Sequence, residues 1–165
     1  MTTKLKNLED LLLYELKDLY SAERQLIHAL PKMAKEANNP ALREAFESHL
    51  EETNAQKERL DRVFTLLNSK HGNTKCLAME GLIEEGKDLI DENATPEVKD
   101  AGLIAAAQKI EHYEISGYGT VVHYAEKLGH KEVHQLLTET LNEEKAADTK
   151  LNDLAKKSIN KKAIA

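Results

Sequence analysis

Glu111 and Glu114 stand three residues apart in the stretch Ile110-Glu111-His112-Tyr113-Glu114, a spacing that puts both carboxylates on one side of a helix. Read from Val98 to Leu128, that helix has an apolar face of Ala101, Ile104, Ala107, Tyr118, Val122 and Ala125. The two glutamates therefore interrupt a face meant for burial. An ionised carboxylate taken out of water costs on the order of several kcal/mol unless something compensates it. Four further acidic residues, Glu23, Glu52, Glu144 and Asp148, fall in comparable places on other segments. Carboxylates gathered at one point hold hard divalent or trivalent cations, and two ions can share bridging carboxylates. The candidate metal ligands are accordingly Glu23, Glu52, Glu111, Glu114, Glu144 and Asp148, with His49 and Gln56, one turn either side of Glu52, as weaker ones.

Those side chains meet only if the elements carrying them lie at one depth. The first helix runs from about Asn7-Leu8 to Ala37 on the stripe Leu12, Leu16, Leu19, Glu23, Leu26, Leu30, Met33, in which Glu23 is the one charged member. Asn39-Pro40 reads as an N-cap followed by proline at the first helical position, which makes the preceding turn short and the two helices antiparallel neighbours. The second helix takes Pro40 to about Leu67 on the stripe Leu42, Phe46, His49, Thr53, Gln56, Leu60, Val63, Leu67, apolar at its ends and polar in its middle. After a turn-rich linker at 69–74, a shorter helix carries Leu77, Met79, Leu82, Ile83, Leu89 and Ile90. Thr95-Pro96 restarts the chain, Gly129 ends the Glu111 helix, and a last helix runs from about Lys131 to Ile159 with Glu144 and Asp148 central on its stripe.

Two helical hairpins, 8–67 and 96–159, joined by a crossover at 68–95 that holds a short extra helix, make one all-α domain: a four-helix bundle with one long connection. Glu23 lies about sixteen residues before the first turn and Glu52 about thirteen after it, while Glu114 and Glu144 lie about fifteen either side of the second. At about 1.5 Å per residue each pair comes within roughly one helical turn of level, at mid-bundle. All six carboxylates are expected to line one central cavity. The competing arrangement is a buried salt-bridge layer in which Arg24, Lys57, Lys109 and Lys145, each close in sequence to an acidic position, neutralise them.

Composition narrows the function classes. The formal net charge of −6 and the lack of a basic segment beyond Lys156, Lys157, Lys161 and Lys162, which suit the end of a last helix, argue against nucleic-acid binding. The run Ala-Gly-Leu-Ile-Ala-Ala-Ala at 101–107 is too short to span a bilayer, and Met1–Leu8 lacks the apolar core of a secretion signal. The expectation is a cytoplasmic protein without a membrane. Cys76, the single cysteine, has no second thiol at metal spacing and reads as a buried or linker thiol. His112 points about 100° away from Glu111 and belongs at the rim. Tyr20 and Tyr118 lie about one turn from ligand candidates and either donate hydrogen bonds to them or pack. Gly117 and Gly119 cost ~1 kcal/mol each inside a helix, a cost that close approach of a neighbouring helix would explain.

The segments Tyr20-Ser21-Ala22-Glu23-Arg24-Gln25-Leu26, His49-Leu50-Glu51-Glu52-Thr53, Cys76 to Glu85, Ala105 to Glu114 and Glu143-Glu144-Lys145-Ala146-Ala147-Asp148 together resemble the YciE/YciF family of bacterial stress proteins over nearly the whole chain. That resemblance implies a ferritin-like, rubrerythrin-related bundle, commonly a homodimer. The wider ferritin-like pattern has one Glu on each of the first and third long helices and Glu-x-x-His on the second and fourth. Glu23, Glu111 or Glu114, Glu52 and Glu144 match its glutamates, but Ala55 and Ala147 stand where its histidines would be. Loss of imidazole shifts a site's preference toward oxygen-loving ions. Two functions follow from different classes: a dinuclear iron or manganese protein acting on peroxide or oxygen under stress, or a metal-free dimeric bundle working through protein interactions.

Overall fold

In the computed structural model, which describes residues 4–164, three of the four long helices start where the sequence supplies a side-chain cap, and the last, which follows His130, has none. Residues 1–3, part of the stretch read above for a secretion signal, lie outside the described residues, as does residue 165. Helix α1 (Leu8–Glu36) opens on Asn7, whose side chain accepts from Asp10 N at 2.8 Å, and α2 (Pro40–Leu66) opens on Asn39, which accepts from Ala41 N and Leu42 N at 2.9 and 3.2 Å. Helix α3 (Leu77–Asp91) is the short crossover element, capped by Cys76. Helix α4 (Pro96–Leu128) runs from Thr95 to Gly129, whose φ of 75° is the left-handed turn that glycine adopts freely. Helix α5 (Lys131–Leu154) then widens into a π-helical turn, Ala155–Ile159, and a final turn, Asn160–Lys162, so the regular α-helix stops five residues short of the expected Ile159.

The four long helices pack around a square, α1 on α2, α2 on α5, α5 on α4 and α4 on α1, with α3 laid against α1 and α4. The described residues contain no strand. The apolar stripes meet in two separate clusters. At one end are Leu12, Leu16, Leu60, Val63, Val121 and Leu137; at the other, Leu26, Leu30, Leu42, Phe46, Leu103 and Leu151. Between them, each helix turns a polar residue inward: Glu23, His49, Thr53, Gln56, Glu111, Glu114, Thr140 and Glu144 are all buried. Each fully buried leucine contributes roughly 2 kcal/mol, so the two apolar ends offset a centre that costs free energy to bury.

Two contacts set the approach of α4 to α1 and to the first hairpin turn. A Cβ on Gly117 would lie 2.7 Å from Leu19 Cδ2, so glycine there lets α4 sit close to α1. Asp100, 4 % exposed, accepts from Asn38 N and Asn39 N at 2.7 and 2.8 Å and ties the α1–α2 turn to α4. Each such bond to a charged acceptor is worth about 1.5–3 kcal/mol. Replacing Asp100 by alanine strands both amides, and Asp100→Ala is expected to lower the unfolding free energy by about 2–3 kcal/mol in a denaturant titration while leaving helical content intact. An unchanged midpoint would show that water satisfies the turn equally well.

Candidate metal centre

The buried layer is built by helix periodicity. Glu23 of α1 takes the stripe position between Leu19 and Leu26, Glu114 and Glu111 of α4 face inward one turn apart, and Glu144 of α5 follows Leu137 and Thr140 on its inner face. From α2 the inward sequence is His49, Thr53, Gln56. One ligand atom from each of His49, Glu111, Glu114 and Glu144 can be chosen so that all four lie within 4.8 Å of one another. Glu23 stands beside them, its Oε1 accepting the phenolic hydrogen of the fully buried Tyr118.

Of the eight residues expected to supply ligands, the structure brings five together and leaves three aside. Glu52 does not enter the cavity: its side chain is 42 % exposed. It lies about 100° around α2 from Thr53, which takes the inward place, and it reaches the cluster only through His49 Nδ1, 3.4 Å from its Oε2. Asp148 does not enter either. It lies a turn beyond Glu144, where Gln108 Nε2 donates to it at 3.2 Å and His112 Nε2 approaches at 3.3 Å, which makes exposed His112 the rim residue that its angle predicts. Gln56 is buried but turned to α5, donating to Glu143 Oε2 at 2.9 Å. His49, rated a weaker ligand than Glu52 above, sits at the centre instead. Its Nε2 is 3.0 Å from Glu111 Oε1 and 3.9 Å from Glu144 Oε2.

The salt-bridge layer does not form. Lys57 pairs with Asp61 at 2.7 Å and Lys109 with Glu85 at 3.6 Å, while Arg24 and Lys145 are exposed. Among the described residues no lysine or arginine is ion-paired to Glu23, Glu111, Glu114 or Glu144. Arg59, which clasps α2 to α5, is taken up by Glu143, Glu139 and Thr140; nothing in the stripe arithmetic singled it out, because it lies at the edge of the helix pair. Tyr20 makes no bond to a ligand candidate and stacks on His71 at 4.1 Å. Cys76 is buried, its Sγ 3.0 Å from the Tyr113 hydroxyl, which in turn donates to Asp18.

Left to itself, such a layer must neutralise by protons. Burial, opposed in part by the Tyr118 hydrogen bond and His49, pushes Glu23 up to about 7. Burial and the neighbouring carboxylates push Glu114 well above its ordinary range, and Glu144 rises for the same two reasons. His49 is also raised: burial disfavours its charge, but Glu111 and then Glu52 and Glu144 more than reverse that. Glu111 is lowered, because the adjacent His49 imidazolium overcomes its desolvation. The cluster therefore holds one ion pair, His49 with Glu111, beside carboxyls that keep their protons.

These residues fit a cation. Among the described residues the buried side-chain polar atoms that lack a hydrogen bond are Glu23 Oε2, His49 Nε2, Glu111 Oε2, both oxygens of Glu114, both of Glu144, and Gln56 Oε1. All but the last belong to this one cluster, and carboxylate oxygens with one imidazole nitrogen are the donor set of iron and manganese sites.

Comparison with known proteins bears on the whole chain. Residues 7–164 match the model of a family described as a domain of unknown function, DUF892. The chain is 52 % identical over 160 residues to Protein YciF of Escherichia coli (strain K12), covering 96 % of each. The crystal structure of the E. coli stress protein YciF superposes with a TM-score of 0.92, over 95 % of this chain and 99 % of that one. The structure of YcfI from Rhodopseudomonas palustris, 49 % identical, gives 0.89 over 92 % and 97 %.

The proton load predicts the pH dependence of the metal-free protein. Glu23 titrates at about 7 when folded against an ordinary 4.5, so between those values the folded state holds a proton that the unfolded chain has released. Stability falls as pH rises through that window, by up to about 3 kcal/mol from this group. Glu114 and Glu144, raised further, extend the fall upward; His49, also raised, contributes stability that is lost as pH climbs through its folded value. Glu111 acts oppositely, only below about pH 4.5. Thermal midpoints in chelator should therefore drop from pH 5.5 to pH 8, and excess Mn²⁺ should restore more at pH 8 than at 5.5. A midpoint that is flat or rises with pH would contradict the assignment.

Proposed function

This chain belongs to the DUF892 family, and from that premise and its buried cluster we propose that it is a ferritin-like metal protein of the bacterial stress response, using iron or manganese to act on peroxide or oxygen. The observation that carries the reading is the set of buried carboxylate and imidazole atoms without hydrogen-bond partners, gathered at one point with no lysine or arginine among them. His49, Glu111, Glu114 and Glu144 would hold the first ion. Glu23, beside them, would supply a further carboxylate toward a second ion. When bound, iron or manganese would supply redox chemistry toward peroxide or oxygen.

The chain's own residues do the rest. Tyr118 orients Glu23 through the hydroxyl that it donates, as an outer-shell donor fixes a ligating carboxylate. Glu52 faces His49 Nδ1 and holds the ring with Nε2 aimed inward, the orientation a ligating imidazole needs. The apolar clusters above and below exclude water, so the site's charge is set by the protons and ions it holds. A homodimer in the cytoplasm is part of the same proposal, drawn from the family resemblance; the described helices include none long and apolar enough to cross a membrane.

The second reading, a metal-free bundle acting through interactions, is favoured by the His49–Glu111 ion pair at 3.0 Å, which offsets part of the buried charge without a metal. Elemental analysis separates the two. Protein purified without chelator, or reconstituted with Fe²⁺ or Mn²⁺ in the absence of air, is expected to carry between one and two equivalents, with proton release into weak buffer as the carboxyls and His49 become ligands. Glu111→Gln combined with Glu144→Gln should reduce uptake at least tenfold, and the loaded wild type should consume peroxide faster than the variant. Absence of bound metal after reconstitution would leave the interaction reading in place.

A further inference from the structure

Beside the cluster, between α2 and α5, lies a cavity of about 110 Å³. Its back and floor are apolar, formed by Leu26, Leu30 and Met33 of α1 with Phe46 of α2. Its mouth is flanked by Ser48 and Glu52 on α2 and by Ala147 and Lys150 on α5. At its polar end stand His49 and Glu111, 6 % and 2 % exposed, with His49 Nε2 paired to Glu111 Oε1 at 3.0 Å and Glu111 Oε2 lacking a hydrogen-bond partner. On the α5 side the lining includes the short side chains of Ala146 and Ala147.

We propose that this cavity binds a small amphiphile: an apolar body of about six carbon atoms, the size that cavities of comparable volume accept, with one neutral hydroxyl-type head at Glu111 and His49. The head follows from what the polar end lacks. Glu111 Oε2 is an acceptor without a donor, and an O–H supplies one; a bare hydrocarbon would leave it stranded. A carboxylate head would add negative charge beside Glu111, Glu114 and Glu144. An ammonium head would have to shed its water to enter a cavity whose body is apolar. The body follows from Leu26, Leu30, Met33 and Phe46, which offer nothing polar to a ligand. The inference deepens the metal-centre reading and rests on it in one respect: a molecule seated here presents its hydroxyl to the residues that would hold the first ion, so a substrate of this site would be an organic hydroxyl or hydroperoxyl compound.

The test uses the full-length chain kept metal-free with chelator and titrated with 1-pentanol. The methyl resonance of Met33, one of three methionines, and the ring resonances of His49 should shift and saturate, while Met79, which does not line the cavity, stays still. Pentanoate and pentylamine should bind at least tenfold more weakly. Ala147→Phe fills the mouth and should weaken 1-pentanol binding at least tenfold; Ala147→Leu, a smaller intrusion, should weaken it in the same direction with its helical circular dichroism unchanged. Shifts that never saturate, equal response of Met79, equal affinity in Ala147→Leu, or pentylamine binding as tightly as 1-pentanol would each overturn the proposal. Because no metal is present, failure here leaves metal uptake untouched, and failure of metal uptake leaves this pocket standing.

Discussion

Four glutamates and one histidine are buried together with no lysine or arginine to meet them, and the rest of the molecule is arranged around tolerating that. A buried carboxylate without a partner is destabilising by several kcal/mol in order of magnitude, so the fold needs strong apolar ends. It has them in two clusters, one on each side of the polar layer, each drawing on all four long helices. The helix stripes thus do two jobs along one length: leucine at either end for cohesion, and acid or imidazole in the middle for chemistry. Caps at Asn7, Asn39 and Thr95 and the glycine at 129 fix where each helix begins or ends, and that in turn fixes the level at which the middles meet.

Protons neutralise the layer in the metal-free state, and a multivalent cation would have to compete with them for the same atoms. In the metal-free state Glu114 and Glu144 hold protons because each faces other carboxylates in a dry space, and the one full ion pair is His49 with Glu111. A divalent ion would have to displace several protons at once, so its hold strengthens steeply as pH rises. The same arrangement explains why the surrounding lysines stay at the surface. Lys57 and Lys109 find carboxylates outside the cavity, on Asp61 and Glu85, and neither has to bring a long charged side chain into the interior.

The element order, the short crossover helix and the inward positions of Glu23, Glu111, Glu114 and Glu144 were all legible in the spacing of apolar residues by threes and fours. The α2 contribution was legible too, and was the place where two signals disagreed. The stripe Leu42, Phe46, His49, Thr53, Gln56, Leu60 puts His49 inside and leaves Glu52 about 100° aside, whereas depth along the hairpin, which sets Glu52 nearly level with Glu23, drew attention to Glu52. Periodicity was the better guide because burial follows from the angle around a helix and being level along it does not override that. Asp148 failed for a different reason. It is on the inner side of α5, but Gln108 and His112 on α4 meet it there, and cross-helix partners cannot be read from one helix. Asp100, Arg59 and the choice of Glu23, on another helix, as the acceptor for Tyr118 were hidden for the same reason, since each depends on which atoms of two distant segments come within about 3 Å.

Under the proposed reading, the departure from the ferritin-like pattern is a displacement of the site rather than its erosion. On α5, Glu144 keeps its place but Ala147 replaces the histidine three residues on; on α2, Thr53 and Gln56 occupy the two inward places nearest the centre. Nitrogen is lost from both. One turn earlier on α2, His49 points inward, and directly across from it on α4 stands Glu111, one turn from Glu114. Imidazole and carboxylate have therefore moved together toward the end of the bundle where Leu26, Leu30 and Phe46 pack. Ala147 lines the cavity that ends at this pair. The one alanine thus stands where the ferritin-like pattern has a nitrogen and also borders the space beside the imidazole that this chain does carry.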